Sequence, residues 1–376
     1  MRLSTHLPFA QAAADLAYFW RIPVSKSTAR RHTEAAGATY AAVQDAAAEA
    51  LTRPDAAPPP AGPPRQFLSA DGAMVPLVGG EWVEVKTLAV GTLDDAGRAT
   101  ALSYFSRLAD AATFAALAAV ETHRRGVPTA GVVVAVTDGS AWLQGLIDAH
   151  RPDAVRILDF PHAVEHRTSA AEAAFGAGDG RAAAWAAAQA HTLKRGDPTA
   201  VLLALLDLPV RAAPQPAAAA VARRATLRYL AARWDAIQYA AFQAAGYPVG
   251  DGAIESANKR IPLARLKGSG MRWGRANVTP MLALRTAAAN DRWDEAWPQV
   301  RAHARTQAAA HRQQRRRARQ ASAIPPPATP TPPPPRAPRR TGAIPALPPE
   351  RARRPHPWSY QARLNARSLP AARANL

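Results

Sequence analysis

The sequence predicts an α/β fold: a mixed sheet of three antiparallel strands followed by parallel ones, with flanking helices and a helical insertion. Three observations predict it. Residues 67–105 read as an antiparallel meander, 131–136 (Gly-Val-Val-Val-Ala-Val) form a near-continuous apolar run, and 154–158 form a second, shorter one. Short continuous apolar runs suit strands covered on both faces, and the Ala-rich helical stretches between and after them supply the cover.

In chain order, 8–19 and 25–36 read as two short helices separated by Arg21-Ile22-Pro23. Ser25 and Ser27 are both N-cap candidates for the second, and Lys26, Arg30, Arg31 and His32 lie on or near it. The pair fits an ordinary helical hairpin with a solvated basic face, and alternatively a helix-turn-helix fragment. Helix continues over 38–51, and a proline-rich linker over 53–65 ends this N-terminal region, 1–60. The first strand carries Ser69-Ala70-Asp71-Gly72 before Gly79-Gly80 reverses the chain. A second arm with Trp82, Val83, Val85, Leu88 and Val90 has the β-branched and aromatic residues that strands favour, and a third strand fits 99–105.

A helix over 110–123, capped at Asp110, precedes the apolar strand 131–136, which ends in Thr137-Asp138-Gly139-Ser140. Helix 141–150 follows, then strand 154–158, ending in Asp159-Phe160-Pro161-His162, then helix 163–175. This completes a first segment, 65–175. The insertion, 176–249, holds helices 182–193 and 199–206 and one long amphipathic helix, 217–245, with Arg223, Arg224, Arg228 and Arg233. A Gly-rich turn then opens a helix bearing Glu255, Asn258 and Lys259 in the segment 250–300. Helix is expected over 298–320, and polyproline II or disorder over 324–349, within a basic, proline-rich tail, 301–376.

Composition excludes several chemistries. There is no cysteine, hence no disulfide, thiolate zinc site or cysteine nucleophile. No run approaches the length of a membrane span, so a cytoplasmic protein without membrane contact is expected. The net charge of +19 is uneven: from Arg301 on there are sixteen basic residues against the single acid Glu350, so +15 of it is tail. Contact with a polyanion, salt-dependent and indifferent to sequence, is the expected consequence.

Three antiparallel strands, helix, strand, helix, strand, helix is the element order of an RNase H-like fold, which would set Asp71 beside Asp138. Adjacent carboxylates repel and raise one another's pKa, a cost that bridging divalent cations remove. Hard oxygen ligands select Mg2+ or Mn2+, and such ions assist in-line phosphoryl transfer. Asp138 is equally read as the N-cap of helix 141–150. Asp159 and His162 could be drawn with Asp138 and His166 into a histidine-containing metal site, but a supporting or phosphate-contacting role for His162 fits better. On the later helix, Glu255, Asn258 and Lys259 share a face. There Glu255 could reach the metals while Asn258 and Lys259 meet a phosphate, or Glu255 and Lys259 simply pair. Arg265 and Lys267 extend the basic surface, and Trp273 offers a plate for an unpaired base.

The segments SADGAMV (69–75), AVTDGSAWL (135–143), RILDFPHA (156–163), GDGAIESANK (250–259), ARLKGSGMRW (264–273) and NDRWDEAW (290–297) resemble those of bacterial insertion-sequence transposases of the DDE class, more distantly similar to the Mutator group. The resemblance spans residues 7–300. It implies an RNase H-like catalytic domain interrupted by a helical insertion, with Asp71, Asp138 and Glu255 as catalytic metal ligands and Asp159 and His162 as a D-x-x-H motif. It further implies Mg2+ or Mn2+, nicking of element ends and strand transfer by a 3′-hydroxyl. The implied partner is double-stranded DNA, held by a homo-oligomer associated with the nucleoid. Gly250-Asp251-Gly252 stands where relatives have Gly-Ser-Gly, Pro262 enters a helix that relatives continue, and the N-terminal region of relatives is missing, so a truncated copy is expected. An inactive DNA-binding remnant is the alternative.

Overall fold

The structure is a computed structural model describing residues 1–321; the expectations for 324–376 lie outside the described residues. Helices α1 (Arg2–His6), α2 (Phe9–Trp20) and α3 (Lys26–Leu51) lead into strands β1 (Arg65–Pro76), β2 (Trp82–Leu93) and β3 (Ala99–Arg107). Then α4 (Ala111–Arg124), β4 (Val132–Thr137), α5 (Ala141–His150), β5 (Val155–Leu158) and α6 (Phe160–Phe175) alternate. The insertion contributes α7 (Gly180–Lys194), α8 (Pro198–Leu206), α9 (Pro216–Ala231) and α10 (Tyr239–Ala244). Finally come α11 (Gly252–Asn258), α12 (Ala264–Leu266), α13 (Arg275–Ala289) and α14 (Trp293–Ala321). Met1–Arg317 pack as one unit.

The fold is mixed α/β, around a five-stranded sheet ordered β3-β2-β1-β4-β5. β1 pairs antiparallel with β2, and β2 with β3, whereas β4 pairs parallel with both β1 and β5. Alternating side chains of β1 and β4 divide the core. Phe67, Val134 and Val136 point with Ile157 into one cluster, which α6 and the insertion helices close through Ala170, Leu193, Val201 and Leu230. Leu68, Ala70, Val133 and Ala135 point into the other, against Phe114 of α4 and Leu143, Leu146 and Ile147 of α5. Cover on both faces explains why polar alternation lapses along β2, which is buried almost throughout from Val85.

Four features differ from expectation, each for a local reason. The stretches 25–36 and 38–51 are a single helix, α3, in which Gly37 marks a crossing with α13: a Cβ there would lie 2.2 Å from the carbonyl oxygen of Pro280. α6 starts three residues before the expected 163, because Asp159 caps it and accepts from the His162 amide at 3.1 Å. The single helix expected over 217–245 is broken into α9, a short turn at Trp234–Ile237 and α10. The break lets Ile237 and Tyr239 both face the core, with the Tyr239 hydroxyl donating to Leu158 O at 2.9 Å. Pro262, lacking an amide hydrogen, is absorbed by one π-helical turn, Lys259–Leu263, following α11.

Candidate metal centre

β1, β4 and β5 run parallel to one another; Asp138 and Asp159 directly follow β4 and β5, where open α/β sheets place ligands, and Asp71 lies midway along β1, three residues past its last pair with β4. β1 and β4 pair from Arg65↔Val132 to Leu68↔Ala135; continuing that register brings Asp71 opposite Asp138, where the strands have parted. Asp71 accepts from the Gly72 amide at 2.7 Å and from Asn258 Nδ2 of α11 at 2.8 Å. Burial raises its pKa, and the charge of Asp138 raises it further against those two hydrogen bonds.

Asp138 does not cap α5; Ser140 holds that position. The Asp138 carboxylate instead accepts from the Ser140 amide at 2.7 Å, across Gly139 at φ 75°. A glycine is required there by conformation and by space, since a Cβ would meet Arg233 Nε at 2.3 Å. Arg233, expected on the long amphipathic helix, binds Gly139 O through Nε and Nη2 at 3.2 and 2.6 Å. Tyr229 donates to Asp138 O at 2.6 Å, with the Arg233 guanidinium over one side of its ring and His166 stacked on it at 3.7 Å. His166 is therefore engaged with Tyr229.

The tightest group is Asp159, His162 and Asp251, whose ligand atoms all lie within 4.8 Å of one another, and it can hold a metal ion. Asp159 is fully buried and joins three segments. Its amide donates to Thr137 O at 2.7 Å, its Oδ2 accepts from His162 Nδ1 at 2.7 Å, and its Oδ1 accepts from the Asp251 amide at 2.9 Å. Burial pushes the Asp159 pKa up, but these hydrogen bonds and the His162 charge outweigh it and leave it below the ordinary value. The Asp159 carboxylate holds His162 protonated, with a pKa of about 9 despite partial burial, and Asp251 and Asp138 contribute in the same direction. Asp251 is driven up to about 7 by burial and by the Asp159 charge, with Asp71 adding to the effect. Asp71, Asp138, Asp159, His162 and Asp251 therefore share one electrostatic centre: four carboxyl groups and one imidazolium.

Sequence reasoning named four of these five. In the sequence Asp251 stands out only as a departure from a Gly-Ser-Gly pattern; the signal that could find it is a lone acid between glycines immediately before the Glu255 helix. Among the described residues, Asp71, Asp138 and Glu255 do not form a group as tight as the Asp–His–Asp one. Glu255 is exposed and pairs with Lys259 Nζ at 2.6 Å, while Asn258, one turn along α11, is 5% exposed and turned inward to Asp71. The other predicted contacts divide by burial. Lys267 is exposed, but Arg265 is 2% exposed, with Phe9 and Trp273 rings 4.7 and 5.0 Å from its guanidinium. Trp273, 5% exposed and packed with Val75, Leu77 and Met281, is core, not an open stacking plate.

The donor set fits a hard divalent cation. Carboxylate oxygens converge, and Asn258 Oδ1, beside Asp71, is buried without a hydrogen-bond partner, an oxygen that a cation or its water would satisfy. Compared with known proteins, the chain matches no family model and no curated protein.

Proposed function

We propose that the chain is a divalent-metal-dependent DNA transposase with an RNase H-like catalytic fold, cutting and joining strands by in-line attack on phosphodiesters. What supports this reading most is the proximity of Asp71 and Asp138, seen in the charge of Asp138 acting on Asp71, with Asn258 of α11 bonded to Asp71. The strand order β3-β2-β1-β4-β5, with the first three antiparallel, is the order that fold has. The motif resemblance supplies the substrate class.

In this reading Asp71 and Asp138 would hold Mg2+ or Mn2+, whose chemistry when bound would be to activate an attacking oxygen and offset charge on the phosphate. Asn258 orients the Asp71 carboxylate. Asp159 fixes the end of β5, the first turn of α6 and the start of α11 together, so that the acids keep their spacing. His162, kept charged by Asp159, counters the carboxylates and donates to a substrate phosphate. Glu255 would complete the site by leaving Lys259, from a helix that Asn258 anchors to Asp71.

A second reading has one observation in its favour. Glu255 faces solvent with Lys259, which suits a DNA-binding remnant that no longer cuts. Nicking of supercoiled and end-sequence DNA separates the two. The enzyme reading expects cleavage that requires Mg2+ or Mn2+ and falls at least 100-fold or so in Asp71→Asn and Asp138→Asn. Equal activity in chain and variants, or none in any of them, sinks it, while binding alone would leave the remnant reading standing.

A further inference from the structure

α14 begins packed against the core and continues as an exposed helix. Ala296 and Val300 are buried against α3 and α13, Trp293 and Trp297 stack at 6.1 Å, and Arg292 forks onto Glu121 at 2.6 and 2.9 Å just before the helix starts. From Arg301 to Arg317 every residue but His303 is exposed. That stretch has six arginines and no acid, and none of the six pairs with a carboxylate among the described residues.

Their spacing is not random. At about 3.6 residues per turn, Arg301, Arg305, Arg312 and Arg316 fall within roughly 60° of one another and form a stripe about 22 Å long. Arg315 flanks it. The rest of the surface is mainly Ala and Gln, with no bulky apolar side chain to enter a bilayer and no aromatic ring to stack an unpaired base. The deep, narrow major groove of duplex RNA excludes such a helix, whereas that of B-DNA admits one.

We propose that the arginine stripe of α14 binds the phosphate backbone of double-stranded DNA without sequence preference, at a site separate from the metal centre. The choice of DNA as the polyanion rests on the function proposed above; the stripe itself does not.

The test is salt-dependent binding of a random-sequence duplex of about 24 base pairs in chelator, which removes cleavage from the readout. The full chain is compared with the quadruple variant Arg301→Gln, Arg305→Gln, Arg312→Gln, Arg316→Gln, in residues that keep helix propensity. Each phosphate contact contributes about 0.9 to the slope of log affinity against log salt, so the variant's slope should be shallower by roughly 3 to 4. Circular dichroism of the variant should match that of the parent chain. An unchanged slope, or a chain that prefers duplex RNA, single strands or anionic vesicles over duplex DNA, overturns the inference. A chain that binds through the stripe but never nicks would leave it intact while removing the enzyme reading, and one that nicks with an unchanged slope would do the reverse.

Discussion

Asp159 shows how one side chain can set the chemistry of its neighbours. Its carboxylate, fully buried, accepts from two backbone amides and one imidazole, so Asp159→Ala leaves buried donors unpaired. About 2–4 kcal/mol of stability should be lost, read from urea midpoints; a loss under about 0.5 kcal/mol would remove Asp159 as the clasp. The same carboxylate creates a pH signature in chelator. Asp251, raised from 3.8 to about 7, binds its proton more tightly folded than unfolded, so stability should fall as pH rises from about 4 to about 7. His162, raised from 6.5 to about 9, adds stability that is complete below about 6.5 and is lost as pH rises through about 9. Asp159, lowered, acts in the opposite sense, and its contribution disappears on acidification. Asp251→Asn should flatten the lower window and His162→Gln the upper. Urea midpoints measured from pH 4 to 10 that show the parent profile in both variants would contradict this assignment.

The elements were legible where period and punctuation agree, and less so where a distant contact decides. The strands and α5 could be read because their apolar runs end in Gly, Asp or Pro, and Asp110 caps α4 as its spacing suggests, accepting from Thr113 at 2.9 Å. The element order predicts Asp71 near Asp138, and in the structure the charge of Asp138 acts on Asp71. The break after α9 could not be read, because Ala-rich sequence favours helix throughout and the contacts made at the break are remote in sequence, Arg233 to Gly139 94 residues away and Tyr239 to Leu158 81 residues away. The inward turn of Asn258 and the outward turn of Glu255 are hidden for a similar reason: helical spacing gives a shared face, whereas Asn258 meets Asp71, 187 residues away, and Glu255 pairs locally with Lys259. Helix glycines make the same point testable. In α3, Gly37→Ala gains helix propensity but meets the Pro280 carbonyl at 2.2 Å, so a net loss of about 1–3 kcal/mol is expected. In α5, Gly145→Ala has nothing within 4 Å and should gain about 0.5–1 kcal/mol. Opposite signs in thermal unfolding check the α3–α13 crossing, and equal signs would refute it.

At the level of the whole molecule the acidic cluster is a stability cost borne by the sheet. Asp71 sits past the last paired residues of β1 and β4, with its pKa raised by burial and by Asp138, and no described helix is long and apolar enough to cross a membrane. Neutralising it should therefore stabilise the metal-free protein. Asp71→Asn keeps an oxygen for the Gly72 amide, and a flip of Asn258 lets its Oδ1, now without a partner, accept from the new amide group. A gain of about 1 kcal/mol in chelator is expected, the reverse of most buried substitutions. Saturating Mn2+ should reverse the order. A cation at 100 times its Kd adds about 2.7 kcal/mol to a chain that binds it only when folded, so the parent chain should rise by that order while Asp71→Asn scarcely moves. Thermal melts of both chains with and without Mn2+ give the four numbers. If Asp71→Asn is the less stable protein in chelator and responds to Mn2+ as the parent does, then Asp71 carries neither the repulsion nor the cation, and the ion's place passes to the Asp159, His162 and Asp251 group alone.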